Sequence, residues 1–152
     1  MREILFKAKR LDNGEWINGD LIHNYDGRIF VGQVIVDDYK GTACDRYEIG
    51  IGFNEVDPTT ICQYTGLTDK NGNKIWENDI CDRKEEYPEI VKYHEGDFTL
   101  DYSYAVGKDE GYNWCNLGFY VCQRKVVEVI GNIFDNPELV GDDEVWHLKN
   151  KF

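Results

Sequence analysis

Ile4-Leu-Phe-Lys-Ala-Lys-Arg-Leu-Asp-Asn-Gly-Glu-Trp-Ile-Asn-Gly-Asp-Leu-Ile22 holds two extended segments around one turn. Ile4, Phe6 and Ala8 share one face while Glu3, Lys7 and Lys9 share the other, the period of two that marks a half-buried strand. Asn13-Gly14 supplies a dipeptide that accepts positive φ, and residues 15–22 read as the returning strand. Asp26-Gly27 is a second turn signal, and Ile29 to Val36 is nearly continuous in apolar residues, as in a strand covered on both faces. An antiparallel meander therefore opens the chain.

Composition extends that reading. The 152 residues include 13 isoleucines and 12 valines against 8 leucines, 3 alanines and 1 methionine. β-Branched side chains lose rotamers in helices and pack well on pleated sheets, so an all-β fold is expected. Further along, Tyr47 to Ile51 and residues 59–64 read as short strands. Asn71-Gly72 reads as a type I′ hairpin turn before Ile75-Trp76. From Asp79 a strand is followed by Ile90 to Tyr93 and by an alternation at Phe98, Leu100, Tyr102 and Tyr104. Ala105 to Gly118, with Lys108-Asp109-Glu110, Tyr112 and Trp114, reads as a long exposed loop. Lys125 to Phe134 is the last strong strand, with Gly131 as a bulge. The expected architecture is one domain over 1–152, with a meander over 1–65 packed on a small SH3-like barrel over 75–134.

The chemistry-bearing residues form no catalytic pattern. Asp69, Asn71 and Asn73 repeat oxygens in the manner of a calcium loop, but Lys74 and Ile80 stand where that loop needs glycine and glutamate, so a hairpin is expected. Five cysteines (Cys44, Cys62, Cys81, Cys115 and Cys122) lack metal-ligand spacing, and Cys62, Cys81 and Cys122 fall in apparent strands. They are expected to be reduced and without metal. A thiol could meet His23, His94 or His147 only through the fold, and Glu85-Glu86 and Asp142-Asp143 read as solvated surface. No cofactor is implied. The formal net charge of −12 opposes nucleic-acid binding. The charged N-terminus and the absence of a long apolar run point to a cytoplasmic protein away from membranes.

Two longer segments are more specific. Val56 to Cys81 contains Gln63-Tyr-Thr-Gly-Leu-Thr-Asp-Lys-Asn-Gly72 and Glu77-Asn-Asp-Ile80, and Val129 to Leu139 contains Gly131-Asn-Ile133. With Ile4 to Lys9 and Trp16 to Gly19, they resemble the YopX family of phage and prophage proteins. Asn78 departs from the glycine of the family pattern. The resemblance implies a phage or prophage product in a bacterial cytoplasm and brings no catalytic residues with it. Its motif residues are Gln63, Tyr64, Thr65, Gly66, Leu67, Asp69, Asn71, Gly72, Asp79, Gly131 and Asn132, a set rich in turn formers and strand-core residues. Gln63-Tyr64-Thr65 are the best surface candidates. The expected function is that of a non-catalytic accessory protein binding an unknown protein partner, with homo-oligomerisation as a further expectation. The alternative is a hydrolase-type enzyme whose carboxylate or Cys–His site is assembled across strands.

Overall fold

The computed structural model describes residues 1–38, 47–106 and 113–141. Cys44, His147, Asp142-Asp143, Lys108-Asp109-Glu110 and Tyr112 lie outside them. The chain divides into two compact units, Ile4–Ile61 and a second comprising Met1–Glu3 and the chain from Cys62 onward. All-β structure is present in both.

In the Ile4–Ile61 unit, β1 (Phe6–Lys9), β2 (Trp16–His23), β3 (Ile29–Asp38) and β4 (Tyr47–Glu55) form an antiparallel meander in the order β4-β3-β2-β1. Ala8, Val31 and Val56 are its buried centre, with Ile17, Leu21, Ile29 and Ile61 packed around them. Residues 59–64 are not one strand. Pro58–Thr60 is a 3-10 turn, because the Asp57 carboxylate accepts the N–H and the hydroxyl of Thr59 at 2.9 and 2.8 Å and proline suits a first helical position.

In the second unit, β5 (Cys62–Thr68) pairs with β6 (Lys74–Trp76). β7 (Asp79–Asp82), β8 (Glu89–His94), β9 (Asp97–Asp101), β10 (Trp114–Asn116) and β11 (Glu128–Asn132) form an antiparallel sheet in the order β10-β9-β8-β7-β11. Successive strands neighbour one another, and the last returns beside the first. The expected SH3-like barrel is not established by this order, since β10 and β11 stand at opposite edges of the sheet. Period two places Cys81, Val91 and Leu100 in one buried cluster with Ile75, Leu117 and Val127. Ile80 and Ile90 enter another with Ile133 and Val140. Two clusters fed by alternate residues explain why Ile90-Val91 reads as continuous rather than alternating.

Side-chain hydrogen bonds to backbone account for several departures from the sequence reading. The Phe98-to-Tyr104 alternation stops at Asp101, whose carboxylate accepts the Ser103 N–H at 2.9 Å and turns the chain into the short helix α1 (Ser103–Val106). The expected loop to Gly118 contains β10 and the fully buried Leu117. Cys122 sits exposed on a π-helical segment, Phe119–Arg124, rather than in a strand. There the Asn116 side chain accepts the Phe119 N–H at 2.7 Å. The Asn71-Gly72 turn is not type I′. Gly72 has φ +84°, as expected, but Asn71 does not share a positive φ, and the Gly72 N–H donates to the Asp69 carbonyl at 3.0 Å. That is a tight turn closed by one left-handed glycine. The doubly positive pair occurs instead at Glu95 (φ +49°) and Gly96 (φ +90°), between β8 and β9. Asn78, where the family pattern has glycine, is itself left-handed at φ +67°.

The two motif segments meet at Asp69, which is almost fully buried. Its Oδ1 accepts the N–H groups of Asn71 and Asn73, both at 2.9 Å, and its Oδ2 accepts the Val129 N–H at 3.0 Å. Burial pushes the Asp69 carboxyl upward, but the amides of Val129, Asn73 and Asn71 outweigh that and hold it below its ordinary value. A carboxyl depressed in the folded state contributes stability above its unfolded pKa of about 3.9 and loses it as pH falls toward the folded pKa. Asp69→Asn turns one acceptor into a donor facing N–H groups, so it is expected to cost about 1–3 kcal/mol near neutrality. Denaturant midpoints measured across the acid range should show the gap between wild type and variant narrowing as pH drops below about 4. A gap independent of pH would contradict the assignment.

Candidate functional site

Three places in the second unit gather polar side chains, and the motif residues decide among them. Along β5, period two sets Gln63, Thr65 and Leu67 on one face. They line a pocket together with Arg2, Tyr93, Gly96, Asp97, Phe98, Leu117 and Gly118. Thr65 is fixed from behind, since its hydroxyl donates to the Ile75 carbonyl at 2.7 Å and accepts the Leu67 N–H at 3.2 Å. Leu67 and Phe98 are half-buried and pack against the core cluster that contains the fully buried Leu117. Tyr93 is 55% exposed and meets Phe98 edge-on, with ring centroids 5.2 Å apart.

Gly66 explains how Arg2 comes to this pocket. It has φ +85°, and a Cβ built on it would lie 3.3 Å from the Arg2 Cδ, so the arginine stem runs over the space a side chain would fill. The neighbouring Glu3 is tied down by Lys74, whose Nζ lies 2.7 Å from the Glu3 carboxylate and 4.5 Å from the centre of the Tyr64 ring. Tyr64 in turn packs against Trp76 at 5.4 Å. Of the Gln63-Tyr64-Thr65 trio, Gln63 lines the pocket as a half-buried residue, while Tyr64 and Thr65 are buried supports.

Of the remaining motif residues, Asp79 and Asn132 hold backbone. Asp79 accepts the Trp76 N–H at 2.8 Å. Asn132 accepts the N–H groups of Phe134 and Asp135, each at 3.0 Å. Gly131 marks the register shift between β11 and β7, and a Cβ there would lie 2.5 Å from the Asn136 side-chain oxygen. Asn71 donates to the Glu128 carboxylate at 3.2 Å.

A second cleft is lined by Arg83, Glu85, Glu86, Tyr87, Glu89, Tyr102 and Val106. Glu89 is 1% exposed, with Arg83 Nε 2.5 Å from its Oε1. The Cys115 thiol contacts the other Glu89 oxygen at 3.6 Å. Burial raises the Glu89 carboxyl, against the pull of Arg83. Burial and the Glu89 charge push the Cys115 thiol up to about 12, the opposite of what a nucleophilic thiolate requires. The third place is His94, whose Nε2 lies 2.8 Å from the Asp101 carboxylate and whose ring stacks on Trp114 at 4.8 Å. Ser103 donates its hydroxyl to Asp101 at 2.6 Å rather than to the imidazole. A hydroxyl on the carboxylate is not the nucleophile arrangement of a hydrolytic triad, where it must sit on the imidazole. Neither Arg83–Glu89 nor His94–Asp101 was singled out from sequence. Glu89 had one signal, its period-two relation to the buried Val91.

Comparison with known proteins bears on the family. A family model described as "YopX protein" matches residues 5–141. The chain belongs to the YopX family. Among solved structures, it is similar to protein EF1440 from Enterococcus faecalis, at 25% identity and a TM-score of 0.58, covering 92% of this chain and 99% of that one. No curated protein matches it. Among the described residues of this YopX-family chain, no helix is long and apolar enough to cross a membrane. No group of three or more His, Cys, Asp or Glu gathers there as a metal-binding set.

Thiol chemistry tests the site geometry. At pH 8 a thiol at about 12 is ionised in only about one molecule in ten thousand. Iodoacetamide followed by peptide mapping should therefore modify the exposed Cys122 well before Cys115. Equal labelling would show that Cys115 is not held against Glu89.

Proposed function

We propose that this YopX-family chain is a non-catalytic phage or prophage accessory protein that acts in the bacterial cytoplasm by binding another protein. The observation that carries the reading is the pocket on the β5 face. There the family's Gln63, Thr65 and Leu67 stand with the exposed Tyr93 and the half-buried Phe98, without a paired general acid and base. Interfaces favour this composition, an aromatic anchor beside apolar surface with polar groups at the rim. The buried Asp69, Asp79 and Thr65 supply support: their hydrogen bonds run to backbone and hold the strands that carry the pocket. Duplex DNA is disfavoured as a ligand by the net charge of −12.

Affinity capture from infected or lysogenic cells should recover a discrete protein with the wild-type chain and markedly less of it with Tyr93→Ala. The purified pair should then rebind with the same dependence on Tyr93. Turnover of a substrate by the purified chain, abolished by Glu89→Gln and indifferent to Tyr93→Ala, would overturn the reading in favour of a carboxylate enzyme.

A further inference from the structure

In the Ile4–Ile61 unit, the edge strand β4 carries a run of backbone whose sequence is matched to itself. β4 stands at the end of the meander and pairs with β3 in an unbroken register from Phe30↔Glu55 to Asp38↔Tyr47. The Val56 N–H donates to the Ile29 carbonyl at the start of β3, whereas the Glu55 carbonyl accepts the Leu11 N–H at 3.1 Å on the opposite side. In an antiparallel ladder the N–H and C=O of one residue point the same way, and the direction alternates along the strand. Tyr47, Ile49, Ile51 and Phe53 therefore aim their backbone groups away from β3, and no described strand receives them. Gly52, between the last two, is exposed. Edge strands ordinarily block further pairing with lysine, proline or a bulge. From Tyr47 to Phe53 the chain has none of these, and its single charge is Glu48.

We infer that this edge pairs with β4 of a second copy, antiparallel about a two-fold axis through Gly50. That register engages every outward residue of the open run. Tyr47 stands opposite Phe53 and Ile49 opposite Ile51, once on each side of the axis. Aromatic pairs and β-branched pairs are favoured across strands, and Glu48 falls opposite Gly52, so no like charges meet. At alternate positions the run reads aromatic, Ile, Ile, aromatic from either end. An isologous contact requires that symmetry, and a foreign strand does not. The open stretch of β3 beyond Gly32 lacks it: its outward residues are Val34, Val36 and Asp38, and a two-fold pairing there would set Val34 against Asp38. The contact involves no residue of the β5-face pocket and does not rest on the reading proposed for it.

Sedimentation of the full chain in reductant, from about 1 to 300 μM, spans the affinities expected of a small interface. A species of twice the monomer mass should dominate at the top of the range and dissociate on dilution. Ile51→Pro removes an outward N–H without removing a bond to β3, the setting in which strands tolerate proline, and should leave the chain monomeric. Ile51→Lys keeps that N–H and adds an edge charge, so it should weaken the dimer about tenfold or more even if proline disturbs the strand. Both variants should retain the wild-type far-ultraviolet circular dichroism. Under mild oxidation Gly50→Cys should form a covalent dimer that wild type and Glu48→Cys do not, because only residue 50 faces its own copy at disulfide distance. A monomer at every concentration, or a dimer that both Ile51 variants leave intact, would overturn the inference. Equal cross-linking of the two cysteine variants would overturn the Gly50 axis. Amides of Ile49 and Ile51 that gain exchange protection only when a captured protein is added would assign the edge to a foreign strand instead.

Discussion

One carboxylate joins stretches of chain sixty residues apart. Asp69 accepts two N–H groups of its own turn through one oxygen and the Val129 N–H of β11 through the other. The Lys70 N–H adds a bond to the Val127 carbonyl at 3.0 Å, and Lys70 Nζ lies 2.7 Å from Glu128. A buried carboxylate leaves water only at a cost, so its oxygens must find donors, and here the donors are the backbone of two segments. The turn that ends β5 is thereby fixed against the last strand of the sheet. A second link runs beside it: β11 pairs with β7, setting Asn132 opposite Asp79, and the Ile133 N–H donates to the Asn78 carbonyl.

The effect on the site is positional. With β5 held at its far end by the Asp69 turn, its alternate residues Gln63, Thr65 and Leu67 present one surface beside the β8–β9 hairpin. Gly66, between two of them, leaves the room in which Arg2 lies. The family's polar residues thus divide by burial. Those inside satisfy backbone groups and place strands, and Gln63 at the edge faces the pocket. The rival clusters at Glu89 and His94 are satisfied from within, by Arg83 and Cys115 in one case and by Asp101 and Trp114 in the other.

Most strands were legible because their periodicity and turn residues agree. The Phe6–Lys9 and Trp16–His23 pair, the Asp79 and Ile90 strands and the Gly131 bulge all follow from patterns visible in the chain. Where the reading failed, a side chain bonded locally to backbone had overridden the hydrophobic pattern: Asp57 made a 3-10 turn, Asp101 ended β9, and Asn116 accompanied the turn into the π-helical segment. The type I′ expectation failed for the same reason, since Asp69 Oδ1 engages two N–H groups of the turn. Of the site, Gln63 was legible as a surface candidate. Arg2 was not, because its place depends on a glycine sixty-four positions later, and no local pattern records that contact.

Amide hydrogen exchange at Val129 and Asn73, measured in the native protein well above the carboxylate range, tests the central role of Asp69 most directly. With the carboxylate holding both segments, these amides should exchange as slowly as the sheet amides of Cys81 and Val91, through the same cooperative opening. Exchange at Val129 and Asn73 as fast as in exposed turns, while Cys81 and Val91 remain protected, would show that the carboxylate does not join the two segments.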